Sequence, residues 1–375
     1  MSQDDYRSQY PVLERWVYFN HAAVAPLCRP ALERIRAWAD DAAQSGDVHE
    51  ADWVREIEER RAQAARLLAA RPDEIAFVKN TSEGLGLVAE GFPWREGDNV
   101  VVAEGEYPAN VYPWMNLASR GVELRTVPLR GLRVEPHDLE AAMDARTRLL
   151  SISFVQFSSG FRSDLARLGE LCNKRGVDFC VDAIQGLGVF PIDVDAMRID
   201  YLAADGHKWL TGPEGAGLFY VRRGLLDKIR PVSVGWKSVV RETDFSNIDF
   251  RLKPSAARFE EGSFNTVGLL ALGACIDFFL SVGLENVRDR VKAATDAVVD
   301  RVRAIGGEVA SPRGENEWSG IVSFTLPGRD PLQTVRRARR RGVALSARSG
   351  RLRASPHFYN NVDDVQRMIE AVSEA

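Results

Sequence analysis

Between residues 51 and 68 the apolar positions Trp53, Ile57, Ala64, Leu67 and Leu68 recur at helical spacing among many charges. The pattern stops just before Arg71-Pro72, which predicts an amphipathic helix ending there. Short apolar runs then follow at 75–78, 100–103, 149–154, 179–181 and 201–204, separated by longer mixed segments. These runs are nearly all apolar rather than alternating, as strands are when both faces of a sheet are covered. The rhythm predicts an α/β fold with a largely parallel sheet, whose ligands sit beyond the C-terminal ends of the strands. Past Arg251 the pattern changes to helices at 266–280 and 284–305, strands at 321–326 and 352–354, and a closing helix from Val362. The domain change is placed near Ser255. Three parts result: an N-terminal segment 1–30, a large domain 31–254 and a small C-terminal domain 255–375.

A chain of 375 residues suits two such domains. The 49 basic and 53 acidic residues leave a net charge of -4 without long blocks of either sign, which argues against a nucleic-acid partner. Only seven of the basic residues are lysines, so each lysine is informative. Cys28, Cys172, Cys180 and Cys275 show no C-x-x-C spacing and no ligand-like pairing with histidine, so neither a metal site nor a disulfide framework is expected. The acidic N-terminus lacks an apolar signal core, and no run of 18 apolar residues occurs. A cytoplasmic protein without membrane association is the expectation.

The chemistry concentrates in Val181-Asp182-Ala183-Ile184-Gln185 and Asp205-Gly206-His207-Lys208-Trp209. An aspartate ending a strand can hold a buried pyridinium nitrogen protonated, and a lysine one strand later reaches the same sheet edge. Alone, the aspartate reads as a turn residue and the lysine as a solvated charge; together, at two successive strand ends, they read as a pyridoxal 5'-phosphate (PLP) site. Asn80-Thr81-Ser82, between a strand and a helix, offers hydroxyls and backbone N–H groups suited to a phosphate, although an ordinary helix cap has the same look.

With Tyr18-Phe19-Asn20-His21-Ala22-Ala23, Glu106-Tyr107-Pro108-Ala109-Asn110 and Arg353-Ala354-Ser355-Pro356-His357-Phe358-Tyr359-Asn360 added, the chain resembles the class V aminotransferases over nearly its whole length. That family includes cysteine desulfurases and isopenicillin N epimerase-like proteins. The resemblance implies a fold-type I PLP enzyme: a mostly parallel seven-stranded sheet flanked by helices, plus a smaller α+β C-terminal domain. It implies that Lys208 carries the cofactor as a Schiff base and moves the Cα proton, that Asp182 pairs with the pyridinium nitrogen, and that Gln185 bonds the phenolic oxygen. Thr81, Ser82 and His207 would hold the phosphate, with Ser263 reaching it from a second subunit of a homodimer. Tyr107 would stack on the ring, and Arg353 would bind the α-carboxylate of an amino-acid substrate, with Asn20 and His21 nearby.

Two departures stand out. Desulfurases carry a nucleophilic cysteine shortly before the arginine, and residues 343–352 contain none, so a persulfide on an enzyme cysteine is disfavoured. Asp205 stands where desulfurases have a hydroxyl; a carboxylate would repel phosphate, so Asp205 is expected to turn away or bind backbone. Arg348 either lines the substrate mouth or is solvated. Aminotransferase or C–S/β-elimination lyase is the first reading, amino-acid epimerase the alternative, and a PLP-binding scaffold without turnover a third. A nucleotide-dependent oxidoreductase is weaker, because Gly186-Leu187-Gly188 lacks the third spaced glycine.

Overall fold

Strands that are apolar on both faces must be sandwiched, and the computed structural model, which describes residues 3–374, meets that demand with helices on either side. The elements run α1 (Gln3–Arg7), β1 (Val17–Tyr18), α2 (Arg29–Ser45), α3 (Glu50–Leu67), β2 (Ile75–Val78), α4 (Thr81–Gly91), β3 (Asn99–Ala103) and α5 (Tyr112–Asn116). Next come β4 (Glu123–Val127), α6 (Pro136–Ala142), β5 (Thr147–Ser153), α7 (Leu165–Arg175), β6 (Asp178–Asp182), β7 (Tyr201–Asp205) and β8 (Gly217–Val221). The C-terminal part adds α8 (Thr266–Val282), α9 (Leu284–Ala304), β9 (Glu308–Val309), β10 (Val322–Thr325), α10 (Pro331–Arg340), β11 (Val343–Ala344), β12 (Ser346–Arg348), β13 (Arg351–Ala354) and α11 (Val362–Ser373).

The main sheet has seven strands in the order β2-β8-β7-β6-β5-β3-β4. β8 runs antiparallel to both of its neighbours, and the other pairings are parallel. Along β7 the two-residue period divides the core: Leu202 and Ala204 join one apolar cluster, Tyr201 and Ala203 the other. Asp205 therefore shares the parity of Ala203, on the side covered by α4.

α4 lies close on β7 because Gly84 faces it; a Cβ there would come within 2.6 Å of Ala203 Cβ. That approach sets the N-terminus of α4 beside the C-terminal ends of β6 and β7.

A separate core of Val298, Val302, Phe324, Leu352, Met368 and their neighbours joins α9, α11 and the antiparallel sheet β12-β13-β10-β9. Val17 and Phe19 enter it, because β1 pairs in parallel with β11 and Asn20 bridges to Ser355. The N-terminal segment is thus tied to the C-terminal unit before it passes the site. α8, apolar almost all round, belongs instead to the core of the large sheet. Among the described residues no single helix is long and apolar enough to cross a membrane.

Candidate active site

At the C-terminal ends of β6 and β7 lies a cavity of about 500 Å³. Thr81, Ser82, Tyr107, Asp182, Gln185, His207, Lys208 and Arg353, from five separate stretches of chain, all line it. Ala22, Ala23 and Val24 close one side, and Arg348 stands at the cavity rather than only in solvent.

Asp182 is the last residue of β6, and its Oδ1 accepts the Ile184 N–H at 3.0 Å. Burial raises its pKa to about 6, against the pull of that amide and of Lys208. Lys208 follows β7 on a turn closed by the Thr211 N–H donating to the Lys208 carbonyl at 3.0 Å. Burial lowers its pKa to about 8, opposed by Asp182 and assisted by Arg353. Its Nζ lies 5.4 Å from the centroid of the Tyr107 ring, which packs edge-on against Phe157.

The glycines that fail as a dinucleotide signature support this turn. Gly188 has φ +98°, and a Cβ on it would meet the Trp209 carbonyl oxygen at 2.6 Å. Behind the turn, His357 Nε2 pairs with the same carbonyl at 2.9 Å, and burial brings the His357 pKa down to about 4. A proton on Nε2 makes that bond a donation from a neutral ring.

Gln185 donates one amide N–H to the Ala22 carbonyl at 2.9 Å and accepts from Trp209 Nε1 at 2.8 Å. One amide N–H remains for the cavity. Arg353, 1% exposed, donates from Nη1 to the Phe157 carbonyl at 2.7 Å and from Nε to Ser346 Oγ at 3.1 Å. Its buried Nη2 has no partner among the described residues. Burial and the neighbouring Arg348 pull its pKa down to about 9, as befits a cation lacking a counter-anion.

Asn80, not Thr81 or Ser82, caps α4: its side chain accepts the Glu83 N–H at 2.9 Å. The Thr81 hydroxyl accepts the Asp205 backbone N–H at 3.0 Å and keeps its own proton to donate.

Three expectations need correction. Asp205 does not turn away: as its strand parity dictates, its side chain lines the cavity, with Oδ2 2.9 Å from His207 Nδ1. His21 does not face the cavity; its two ring nitrogens are held by the Ser355 carbonyl at 2.7 Å and the Tyr359 hydroxyl at 2.5 Å, fully buried. Asn20 lines a different depression with Tyr18 and Arg339, because the bridge to Ser355 turns it to the other side of the chain. Ser263, expected to act from a second subunit, lies in a separate groove near Gly215 and Phe264.

The sequence reading gave no role to Glu106, yet it organises the wall beneath Tyr107. Its buried carboxylate accepts from the Ser153 N–H at 2.9 Å, from Gln156 Nε2 at 2.8 Å and from Asn110 Nδ2 at 3.0 Å, and also pairs with the Ser153 hydroxyl. Burial raises its pKa to about 7 despite those donors.

Where a loop cysteine was sought, β12 and β13 form a tight hairpin whose turn residues Ser349 and Gly350 have φ +48° and +73°. All four cysteines are buried and none lines the cavity.

The fold and this constellation define a fold-type I PLP enzyme. The sequence profile described as Aminotransferase class-V matches residues 17–368, and the chain belongs to that family. Its cofactor is PLP. The chain is 30% identical to a probable cysteine desulfurase of Methanothermobacter thermautotrophicus, across 100% of this chain and 98% of that protein. It is also 30% identical to a cysteine desulfurase of Cronobacter sakazakii, across 97% and 95%. Among solved structures, the apo cysteine desulfurase of Thermococcus onnurineus NA1 superposes with TM-score 0.90 at 25% identity, covering 99% and 97%. The cystine C–S lyase C-DES in complex with its product cysteine persulfide superposes with TM-score 0.91 at 22% identity, covering 98% and 99%, a likeness of fold.

The cavity fits the cofactor. It combines a buried carboxylate at a strand end, an amine with its pKa lowered, and an 11-residue helix whose first hydroxyls face inward.

Proposed function

We propose that the protein is a PLP-dependent C–S lyase of the cysteine desulfurase kind, acting on L-cysteine or a close relative. The observation that carries this is the convergence of Lys208, Asp182 and Arg353, whose buried Nη2 has no hydrogen-bond partner, on one cavity. Full-length similarity to desulfurases supports the choice of reaction. It also corrects two expectations: the epimerase alternative is dropped, and a desulfurase of the persulfide-forming type, disfavoured from sequence for want of a loop cysteine, becomes the favoured branch.

When bound, PLP supplies an electron-withdrawing ring that stabilises negative charge at the substrate Cα. Asp182 holds the proton on the ring nitrogen. Lys208 would hold the cofactor at its aldehyde carbon and move the proton at the substrate Cα; its desolvation makes the neutral amine available near neutral pH. Arg353, already oriented by Phe157 and Ser346, binds the α-carboxylate through Nη2. Thr81, Ser82 and His207 would hold the phosphate, the remaining N–H of Gln185 would serve the phenolic oxygen, and Tyr107 would cover the ring.

No thiol of this chain lines the cavity, so the acceptor of sulfur is a thiol brought by another molecule. Its sulfur attacks the substrate sulfur, the Cβ–S bond breaks, and its electrons stay with the three-carbon fragment. Protonation yields alanine, with a persulfide on the acceptor. A scaffold without turnover is disfavoured, since both the lysine and the arginine are retained.

We further infer a homodimer. Phe245, Ile248 and Phe250 are 73%, 89% and 73% exposed, and the nearby Trp236 shares a groove with Ser263. The decisive test is chemical: borohydride reduction of the purified holoprotein followed by peptide mass spectrometry is expected to find the cofactor on Lys208. Attachment elsewhere, or none, would overturn the assignment.

A further inference from the structure

One carboxylate oxygen of Asp205 has no hydrogen-bond partner, although the residue is only 4% exposed and lines the same cavity as Thr81, Ser82 and His207. A buried acceptor in that condition calls for a donor from whatever fills the cavity. Its other oxygen lies 2.9 Å from His207 Nδ1, but the two are not aligned for a hydrogen bond, and that nitrogen is also without a partner. The Asp205 N–H is already bonded to Thr81 Oγ1 at 3.0 Å, which fixes the backbone and so the position of the carboxylate.

We propose that Asp205 makes this site take the cofactor phosphate as a monoanion, with the Asp205 carboxylate accepting a hydrogen bond from a protonated phosphate oxygen. This rests on the reading above that the N-terminus of α4 and His207 hold the phosphate. The other donors there, the Thr81 and Ser82 hydroxyls and the first N–H groups of α4, suit unprotonated phosphate oxygens. They leave Asp205 as the lone full negative charge contributed by β7.

A doubly ionised phosphate would set like charges side by side. A single proton on it replaces repulsion with a strong O–H···O⁻ bond. The second ionisation of a phosphate ester falls at about pH 6 in water, so the effect is an upward displacement of that ionisation in the bound cofactor.

The charged and titratable groups that line the cavity with Asp205 are His207 on its own turn, Asp182 on β6, Lys208 beyond the turn, Tyr107 after β3, Glu214 before β8, and Arg348 and Arg353 from the C-terminal sheet. α4 contributes only Thr81 and Ser82, which do not titrate.

The test is the phosphorus NMR resonance of the PLP holoprotein from pH 6 to pH 9, for wild type, Asp205→Ser and Asp205→Asn. The wild-type resonance is expected to stay at the monoanion position through pH 8, while both variants move to the dianion position at least about one pH unit lower. Calorimetric titration of apoprotein with PLP at pH 8, in two buffers of different ionisation enthalpy, gives a second readout. Wild type is expected to take up about one proton more than Asp205→Ser, which binds PLP about tenfold more tightly, the equivalent of one pKa unit. A dianionic phosphate in wild type across the whole range would overturn this inference and leave the PLP assignment standing. Failure of the wild-type protein to take up PLP at all would overturn both.

Discussion

Lys208 and Asp182 sit in one dry pocket that lowers the lysine pKa to about 8 and raises the aspartate pKa to about 6, so each comes nearer neutrality than in water. The neutral amine is the form that attacks the cofactor aldehyde, and an ordinary lysine would supply it only near pH 10.4. The rate at which apoprotein captures saturating PLP should therefore rise about tenfold per pH unit up to about pH 8 and then level. Stopped-flow absorbance checks this; a rise that continues unbroken to pH 10 would mean that Lys208 is not desolvated as described. Arg353 lines the cavity and is held by two fixed acceptors, a geometry that lysine cannot copy. Arg353→Lys should raise KM for L-cysteine by about 10- to 100-fold, the worth of a charged hydrogen bond, with a smaller change in kcat.

Apolar patterning reveals elements whose burial is uniform and hides those whose burial is partial. The strands β2, β3, β5, β6 and β7, buried almost throughout, are read from largely apolar runs, whereas β4, Glu-Leu-Arg-Thr-Val, has only Val127 buried and gives no clear signal. α2 is missed for a related reason, since only Ala31 of its 17 residues is buried. The candidate site is legible where chemistry sits at strand ends, as with Asp182, Lys208 and Arg353. It is not legible where a side chain's direction depends on a distant pairing: the bridge of Asn20 to Ser355 turns Asn20 and His21 from the cavity. Asp205 was recoverable in principle from the period of β7, though repulsion from phosphate argued the other way. The packing of α8 on the large sheet leads us to place the division between the two units within α9 rather than near Ser255. Contact between elements is also what sets the phosphate end of the site. Gly84→Ala would press a methyl group onto Ala203 and push α4 off β7, at a cost of about 1–3 kcal/mol. Thermal unfolding and equilibrium PLP titration should show lower stability together with weaker cofactor binding; unchanged PLP affinity would detach α4 from the phosphate site.

At the scale of the whole molecule, the exposed apolar residues Phe245, Ile248 and Phe250 lead us to infer that a second copy covers them. Sedimentation should report a dimer for wild type and a shift towards monomer for Ile248→Asp, with weakened PLP retention; a wild-type monomer that keeps its cofactor would contradict that arrangement. The chain's chemistry as a whole is tested most directly by incubating PLP-loaded protein with L-cysteine and a small added thiol, then quantifying alanine and thiol persulfide together. The account predicts equal amounts of the two, dependent on the thiol and absent in Lys208→Ala. A keto acid product with sulfur still attached, or no release of sulfur under any thiol tried, would contradict it.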